Sequence, residues 1–208
     1  MASGGPAIGE NEFVVREASG AELPALTETI SLAFHDDPTW SWAFPDAALR
    51  GEHFGVFWSF MIAGALRYPW VLCTDHYEAV AIWIPPGGTE LAEEDEARMA
   101  PLLESLVGPH SHDVLELIAR FDGAHPHDEP HFYLSLLGTH PAHRGQGIGM
   151  WLLAENLERI DAERMPAYLE SSNPANNHRY EHLGFAAVGE FFPPGERTPI
   201  TTMWRDSR

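Results

Sequence analysis

The chain has 208 residues, of which 44% are hydrophobic and 21% charged, and this balance predicts one globular domain. All 12 basic residues are arginine and 31 residues are acidic, so the net charge of −19 argues against binding to DNA or RNA, and the lack of lysine excludes Schiff-base chemistry. Cys73 is the single cysteine, which excludes an intrachain disulfide.

The first 84 residues alternate strand and helix patterns. Residues 1–11 contain three glycines and a proline and predict a flexible leader, after which residues 13–17 have the composition of a strand. Ser19 can cap a helix whose apolar residues recur every three or four positions. They are Leu23, Leu26, Ile30 and Phe34. The remaining segments are a helix break at 35–40, a second helix over about 45–66, and a hairpin of strands 70–74 and 79–84.

An acidic segment over about 86–130 separates this hairpin from the rest of the chain. It holds eleven acidic residues against Arg98 and Arg120, with helical patterns around 102–107 and 114–121. The segment is too short to build a large core of its own. It therefore predicts a helical insertion within a single domain that covers residues 12–208.

The last third of the chain has a regular order of strands and helices. A strand over 131–137 leads through a glycine-rich loop into a helix over 148–162, and a second strand covers 167–170. A short helix over 174–183 ends at Gly184, and strands near 185–192 and 198–204 follow. This order predicts an α/β or α+β fold, with one mixed sheet and helices on both faces.

No stretch of the sequence indicates a membrane segment. The longest apolar runs are too short or too interrupted to span a bilayer, and the first residues lack a basic region followed by an apolar one. We therefore expect a cytoplasmic protein with no membrane partner.

The glycine loop at 137–149 is the most informative stretch. Gly145, Gly147 and Gly149 alternate immediately before a predicted helix, where unsatisfied backbone N–H groups and the helix dipole favour an anion such as a pyrophosphate. The alternative is a glycine-rich turn that only lets the helix approach the sheet.

Two motifs resemble those of one enzyme family. The run from Pro141 to Gly149, with Arg144 before the glycines, resembles the Gln/Arg-x-x-Gly-x-Gly/Ala motif of the GCN5-related N-acetyltransferase (GNAT) family, whose members bind acetyl-CoA. Residues 173–185 resemble the family's Asn-x(6)-Tyr-Glu-x-Leu-Gly-Phe signature. The hairpin strand at 79–83 and the run at 169–172 are similar to puromycin N-acetyltransferase-like members. The resemblance implies the GNAT fold, a mostly antiparallel sheet splayed at the acetyl-CoA site.

The resemblance also implies which residues hold acetyl-CoA, the co-substrate. Backbone groups on the strand before the loop would pair with the pantetheine arm; they belong to Leu137, Gly138 and Thr139. Backbone N–H groups of the loop would hold the pyrophosphate; they belong to Arg144, Gly145, Gln146, Gly147, Ile148 and Gly149. Asn173 would bind the pantetheine and Asn176 the phosphate end. The Arg144 side chain is alternatively a surface charge.

The implied mechanism is direct transfer of the acetyl group to an amine. Tyr180 occupies the family position of a general acid that protonates the departing thiolate, although its ring could instead only pack beside Phe185. Glu170, on the strand entering the cofactor cleft, is the candidate general base. It could equally cap the next helix or pair with an arginine, and His131, His35 and Asp36 are further candidates.

The family fold places the acceptor site between the first two helices and the last strands. We expect aromatic and acidic residues to meet there and to suit a cation with a ring or apolar surface. They are Phe34, Asp36, Asp37, Trp40, Trp42, Phe191 and Phe192. The alternative for each single residue is a core side chain or, for the aspartates, a turn.

Twelve histidines raise the question of a metal site. His110, His112, His125, His127 and His131 lie in or beside the acidic insertion, and alternating histidines can bind zinc or nickel. No closed ligand set at structural-site spacing is present, so we predict no metal.

The sequence therefore predicts an acetyl-CoA-dependent N-acetyltransferase for a small-molecule amine. Two other functions stay open: a non-catalytic acyl-CoA or small-molecule sensing module on the same fold, and a protein N-terminal acetyltransferase. The latter needs an open peptide groove, whereas the helical insertion predicts a roofed pocket. Dimers are frequent in the family, so a homodimer is one expectation.

Overall fold

One seven-stranded sheet organises the computed structural model, which describes residues 13–195 and 198–208. The strands are β1 (Val15–Glu17), β2 (Val71–Thr74), β3 (Ala79–Ile84), β4 (Phe132–Thr139), β5 (Ala167–Ser171), β6 (Ala186–Phe191) and β7 (Ile200–Arg205). Their order in the sheet is β1-β2-β3-β4-β5-β7-β6, and β4–β5 is the parallel pair among antiparallel neighbours. The predicted mixed, mostly antiparallel sheet is confirmed. The predicted leader at 1–11 lies outside the described residues.

Seven α-helices connect the described strands. They are α1 (Leu23–Phe34), α2 (Pro38–Ala43), α3 (Arg50–Ala65), α4 (Glu93–Val107), α5 (Ser111–Ala124), α6 (Ile148–Ala162) and α7 (Asn177–His182). Six of them fall on helical patterns of the sequence. The exception is α2, because residues 35–40 read as a helix break. Asp37 caps this short helix and Pro38 occupies its first turn, so the residues that end α1 also start α2.

Both faces of the sheet are covered by helices. Alternate residues of β3 enter different core clusters: Val80 and Ile82 join residues of α1, α3, α4 and α5, whereas Ala81 and Trp83 join residues of α6. The segment predicted as a helical insertion contains α4 and α5, whose Leu103 is fully buried in the first cluster. Of the helices in the described residues, none has the length and apolar character needed to cross a membrane.

The sheet separates between β4 and β5. Their parallel pairing covers three residues of each strand and ends at Leu134 and Leu169, although β4 continues to Thr139. A bulge lies at the same level, because Ile82 of β3 pairs with Leu136 while Trp83 pairs with Leu134, which leaves Ser135 as the extra residue. The outer half of β4 therefore has one edge that β5 does not pair.

Candidate active site

A cavity of about 1220 Å³ occupies the gap between β4 and β5. One end is lined by the glycine loop, the second half of β4 and α7, and the other end by α4, α5 and the segments around them. This continuous space is large enough for two small molecules or for one long ligand. The sequence-predicted site residues can be placed along it.

The glycine loop forms the N-terminus of α6. Gly145 and Gly147 both have φ of 79°, a left-handed conformation that favours glycine, and Gly147 is the N-cap of the helix. Trp151 donates to the Gly147 carbonyl at 2.9 Å, so the preceding amides of the first turn have no partner within the helix. Such amides, with the helix dipole, suit a phosphate group.

Gly149 serves a packing role in the same loop. A Cβ atom on Gly149 would lie 2.3 Å from Oγ1 of Thr139. The glycine thus lets the start of α6 approach β4. This is the packing role that the sequence offered as the alternative to anion binding. A packing role for Gly149 leaves the loop's backbone N–H groups free to face an anion, so the two interpretations are compatible.

Arg144 ties the loop to the end of α1. Its guanidinium donates to the Ala33 carbonyl at 2.7 Å, which gives this side chain a structural role beyond a surface charge. Among the predicted pyrophosphate residues, Gln146 is exposed and does not line the cavity, whereas the other five do. They are Arg144, Gly145, Gly147, Ile148 and Gly149.

The predicted pantetheine residues lie on the half of β4 beyond Leu134, which pairs with β3 but not with β5. Leu137 and Thr139 line the cavity. Gly138 lies against α1 instead, where a Cβ atom would be 2.9 Å from both Ala33 Cβ and Ile30 Cδ1. Gly138 thus lets the first helix pack directly on this part of the strand.

Tyr180 lies on α7 and lines the cavity. Burial raises its pKa to about 12, and the nearby Asp37 carboxylate adds to the effect, so the phenol stays protonated at neutral pH. Its ring also packs edge-on against Phe185, with ring centroids 6.3 Å apart. The Tyr180 ring therefore packs against Phe185 while its residue lines the cavity, so the packing alternative does not exclude the acid role.

Asn173 and Asn176 both line the cavity between β5 and α7. The Asn173 side-chain oxygen accepts from the Ala175 N–H at 3.1 Å and so caps the 3-10 turn Pro174–Asn176. With its oxygen used, the amide NH₂ is the group that Asn173 can offer to a ligand.

Glu170 lies just beyond the last pair of β4 and β5. Its side chain is 2% exposed, and its Oε1 atom has no hydrogen-bond partner among the described residues. The His125 ring lies beside it, with Nδ1 3.8 Å from Oε1. A buried carboxylate with an unused oxygen beside a cavity is available to accept a proton.

A second buried carboxyl group was not predicted from the sequence. Glu90, in the loop between β3 and α4, accepts a hydrogen bond from Oγ of the bulged Ser135. Burial raises the pKa of Glu90, and the Glu170 carboxylate raises it further. No local pattern marks either Glu90 or Ser135, because the bulge and the loop bring them together.

The α4–α5 end of the cavity combines acidic groups with aromatic rings. Its acidic lining residues are Glu90, Glu96, Asp122, Asp128, Glu129 and Glu170, and its rings include those of Trp40, Phe57, Trp58 and Phe121. Of the described residues, the arginines that line the cavity are Arg144 on the glycine loop and Arg179 on α7. The acidic and aromatic end therefore suits a cation with apolar surface.

The predicted acceptor residues separate into two groups. Phe34, Asp36, Asp37 and Trp40 line the cavity. Asp36 is exposed and faces His35. Asp37 is engaged structurally, since it caps α2 through the N–H groups of Thr39 and Trp40 and accepts from Ser172 Oγ at 2.8 Å.

The other aromatic residues of that prediction do not line the cavity. Phe191 packs behind its wall, edge-on to Phe121 with ring centroids 5.1 Å apart, because β6 lies at the far edge of the sheet. Trp42 packs against His110, and Phe192 is partly exposed. The expectation that these three residues line one pocket with Asp36 and Asp37 is therefore wrong.

The histidines have two different settings. His110 contacts Asp113 and the Trp42 carbonyl, whereas His125 and His131 contact each other at the cavity wall. Across residues 13–195 and 198–208, no three side chains of His, Cys, Asp or Glu are grouped to hold a metal ion.

Comparisons with known proteins agree with this architecture. A family model described as an acetyltransferase (GNAT) domain matches residues 113–187, which include β4, the glycine loop, α6, β5 and α7. The fold is similar to that of a histone acetyltransferase HPA2-related protein from Corynebacterium glutamicum, with 23% identity, a TM-score of 0.68, and coverage of 94% of this chain and 97% of that chain.

Two insect enzymes share the same fold. Arylalkylamine N-acetyltransferase 2 from Aedes aegypti has 13% identity and a TM-score of 0.65, with 95% of this chain and 100% of that chain covered. Polyamine N-acetyltransferase from Drosophila melanogaster has 16% identity and a TM-score of 0.60, with 94% and 100% covered. The domain match over 113–187 and the shared fold thus agree with the two sequence motifs that resemble the GNAT family.

Proposed function

We propose that this enzyme transfers the acetyl group of acetyl-CoA directly to the amine of a small molecule. The observation that carries the proposal is the continuous cavity, which joins unpartnered helix amides at one end to an acidic, aromatic wall at the other. Tyr180 and Glu170 line the same cavity from α7 and β5. Such a space can hold donor and acceptor together, which direct transfer requires.

The donor half suits coenzyme A despite the overall charge of −19. The amides of the glycine loop supply positive partial charges for the pyrophosphate, independently of any lysine. The unpaired edge of β4 beyond Leu134 offers backbone groups to the amide-containing pantetheine arm, which would extend the sheet as an added strand does.

The acceptor half suits an amine that arrives as a cation. Its carboxylates attract an ammonium group, and its rings accommodate apolar or aromatic surface. The attacking nitrogen must be neutral, so a base has to remove a proton. Glu170 is our candidate because its Oε1 atom is buried at the cavity wall without a hydrogen-bond partner.

Tyr180 would complete the reaction as the general acid. The amine attacks the thioester carbonyl, the carbon–sulfur bond breaks, and the phenol donates its proton to the departing thiolate sulfur. The excess proton on the newly acylated nitrogen then leaves to give the neutral amide and restores the phenol. The raised pKa of Tyr180 means that the phenol carries its proton at neutral pH. The single cysteine, Cys73, is fully buried in β2, so nothing indicates an acetyl-cysteine intermediate.

The expected substrate is a small amine because α4 and α5 line the acceptor end. Arylalkylamines and polyamines, which the names of the two insect enzymes specify, are reasonable first compounds for a panel. Protein N-terminal acetylation would require an open peptide groove, which the walls supplied by these helices disfavour.

The proposal is tested by thiol release from acetyl-CoA across a panel of aryl, alkyl and polyamine substrates, with coenzyme A binding measured by calorimetry. Glu170→Gln should lower kcat/KM about 100-fold or more while it preserves coenzyme A binding, because general-base catalysis typically contributes that much. Glu158→Gln, an exposed change on α6, is the matched control. Coenzyme A binding without thiol release on any amine would favour a sensing module instead.

A further inference from the structure

Two histidines form a row behind Glu170 that the proposed reaction does not yet use. Glu170 Oε1 is 3.8 Å from Nδ1 of His125, and Nε2 of His125 is 3.1 Å from Nε2 of His131. Nδ1 of His131 is in turn 2.6 Å from the Glu129 carbonyl oxygen. The row connects the candidate base to the backbone before β4.

The partners in this row determine where the ring protons lie. A carbonyl oxygen can only accept, so His131 must carry a proton on Nδ1. Burial lowers the pKa of His131, and His125 lowers it further, which keeps its ring neutral and its Nε2 unprotonated. The short Nε2–Nε2 contact then requires His125 to donate from its own Nε2.

This assignment turns the free nitrogen of His125 towards Glu170. A neutral His125 protonated on Nε2 presents the lone pair of Nδ1 to Oε1, at a distance that holds no hydrogen bond while Glu170 is ionised. Once Glu170 gains a proton, a side-chain shift that brings Oε1 within hydrogen-bond distance lets Nδ1 accept it. The side chain of His125 is 23% exposed against 2% for Glu170, so His125 can exchange protons with water more readily.

The other ionisable groups around His125 come from four parts of the fold. Tyr133 and Tyr168 pack edge-on against its ring, with centroids 4.8 and 5.0 Å away. The charged and titratable neighbours are Tyr168 and Glu170 on β5, Tyr133 on β4, His127 and His131 in its own segment, and Glu90. The two carboxyl groups in this set are those of Glu90 and Glu170.

We propose that His125 receives the proton that Glu170 removes from the substrate amine and releases it to solvent, while His131 holds His125 in the receptive tautomer. This inference rests on the proposed acetyl transfer. Both histidines act through Glu170, so they are positioning residues and not catalytic ones.

The proton balance closes in three steps. The substrate ammonium gives a proton to the Glu170 carboxylate, which leaves a neutral amine and a carboxylic acid. The acid passes this proton to Nδ1 of His125, which restores the carboxylate and forms an imidazolium. The imidazolium then gives the proton to water.

Nuclear magnetic resonance of the ¹⁵N-histidine-labelled protein tests the tautomers without relying on activity. His125→Gln and His131→Gln spectra assign the two rings among the twelve histidines. We expect His131 protonated on Nδ1 and His125 on Nε2 at neutral pH. A His125 ring protonated on Nδ1 alone would overturn the proposal.

The pH profile of kcat/KM tests the proton transfer. Gln at position 125 retains an amide donor towards His131 but cannot take a proton, so we expect kcat to fall about 10-fold, within what general-base catalysis contributes. The acidic limb should shift, because glutamine at position 125 cannot take up the proton that Glu170 has removed. His112→Gln on α5, whose side chain is 87% exposed, should leave the profile unchanged. An unshifted limb in His125→Gln overturns the proposal.

Chemical rescue separates a proton acceptor from a structural ring. Added imidazole should restore at least part of the kcat lost in His125→Ala, and it should have no effect on wild type. Loss without rescue, in a variant that still binds coenzyme A, would assign His125 to packing alone. Absence of acetyl transfer by the wild-type enzyme would instead remove the proposed function, so the two failures are distinguishable.

Discussion

Gly149 offers a quantitative test of how the glycine loop is seated on β4. A Cβ atom at this position would lie 2.3 Å from Thr139 Oγ1, well inside the ordinary contact distance of 3.4 Å or more. The backbone of Gly149 is helical, so alanine is acceptable apart from this contact. In Gly149→Ala, the start of α6 and β4 must therefore move apart by about 1 Å.

The expected energies follow from this contact. Overpacking of this kind typically costs about 1–3 kcal/mol, and replacing glycine by alanine in a helix returns at most about 1 kcal/mol. Gly149→Ala should therefore lower the free energy of unfolding by about 0–2 kcal/mol. Removing the hydroxyl with Thr139→Ala leaves Cβ of residue 139 as the neighbour, 3.7 Å away, which is ordinary contact. In that background Gly149→Ala should be neutral or stabilising.

Urea unfolding of the two single variants and the double variant measures the coupling free energy between positions 139 and 149, which we expect to be about 1–3 kcal/mol. Calorimetry should show coenzyme A binding weakened by about 10-fold or more in Gly149→Ala, because a displaced loop misplaces its amide donors. The double variant should recover the affinity. Gly55→Ala, in the middle of α3 with no atom within 4 Å of the new Cβ, is the control and should be stabilising. An equal cost of Gly149→Ala in both backgrounds would refute the contact argument.

Two further changes test the acid and a buried ion pair. Tyr180→Phe should reduce kcat by about 100-fold or more with unchanged coenzyme A affinity by calorimetry, and unchanged turnover would exclude the acid role. Asp161→Asn should lower the free energy of unfolding at pH 7 by about 2–3 kcal/mol, because it unpairs the buried Arg205, which Asp161 holds at 2.7 Å. Hydrogen bonding to Arg205 lowers the pKa of Asp161 in the folded protein. The stabilisation by Asp161 is therefore present above the ordinary pKa of ~3.9 and is lost as pH falls through the lowered pKa. Urea unfolding at pH 7 and pH 3 should show that the difference in unfolding free energy between wild type and Asp161→Asn shrinks in acid.

The local features of the fold could be predicted because they depend on neighbouring residues. The helix over 148–162 and the hairpin of β2 and β3 agree with their sequence patterns, and Ser19 and Glu22 form the capping box at the start of the first helical segment. Glycine conformation is equally local, so the loop before α6 was recognisable from its alternating glycines.

The acceptor end of the site could not be predicted, because its members are brought together by long-range packing. The bulge at Ser135 reverses the alternation of β4: Leu134 belongs to the core cluster on the α6 side, whereas Leu136 belongs to the opposite one. A regular strand pattern would place both on one face. Asp37 likewise resembled a ligand-binding carboxylate, but its hydrogen bonds with α2 and Ser172 give it a structural role.

The amino-acid sequence by itself determined the order of the elements, the glycine loop and the family motifs, since each depends on residues close together in the chain. Only the tertiary structure decided that Glu90 meets Ser135, and that His125 faces both Glu170 and His131. These contacts join the loop before α4, the end of α5 and two neighbouring strands. Their geometry follows from where β4 and β5 separate, and strand pairing across the sheet is a non-local property that no short pattern encodes.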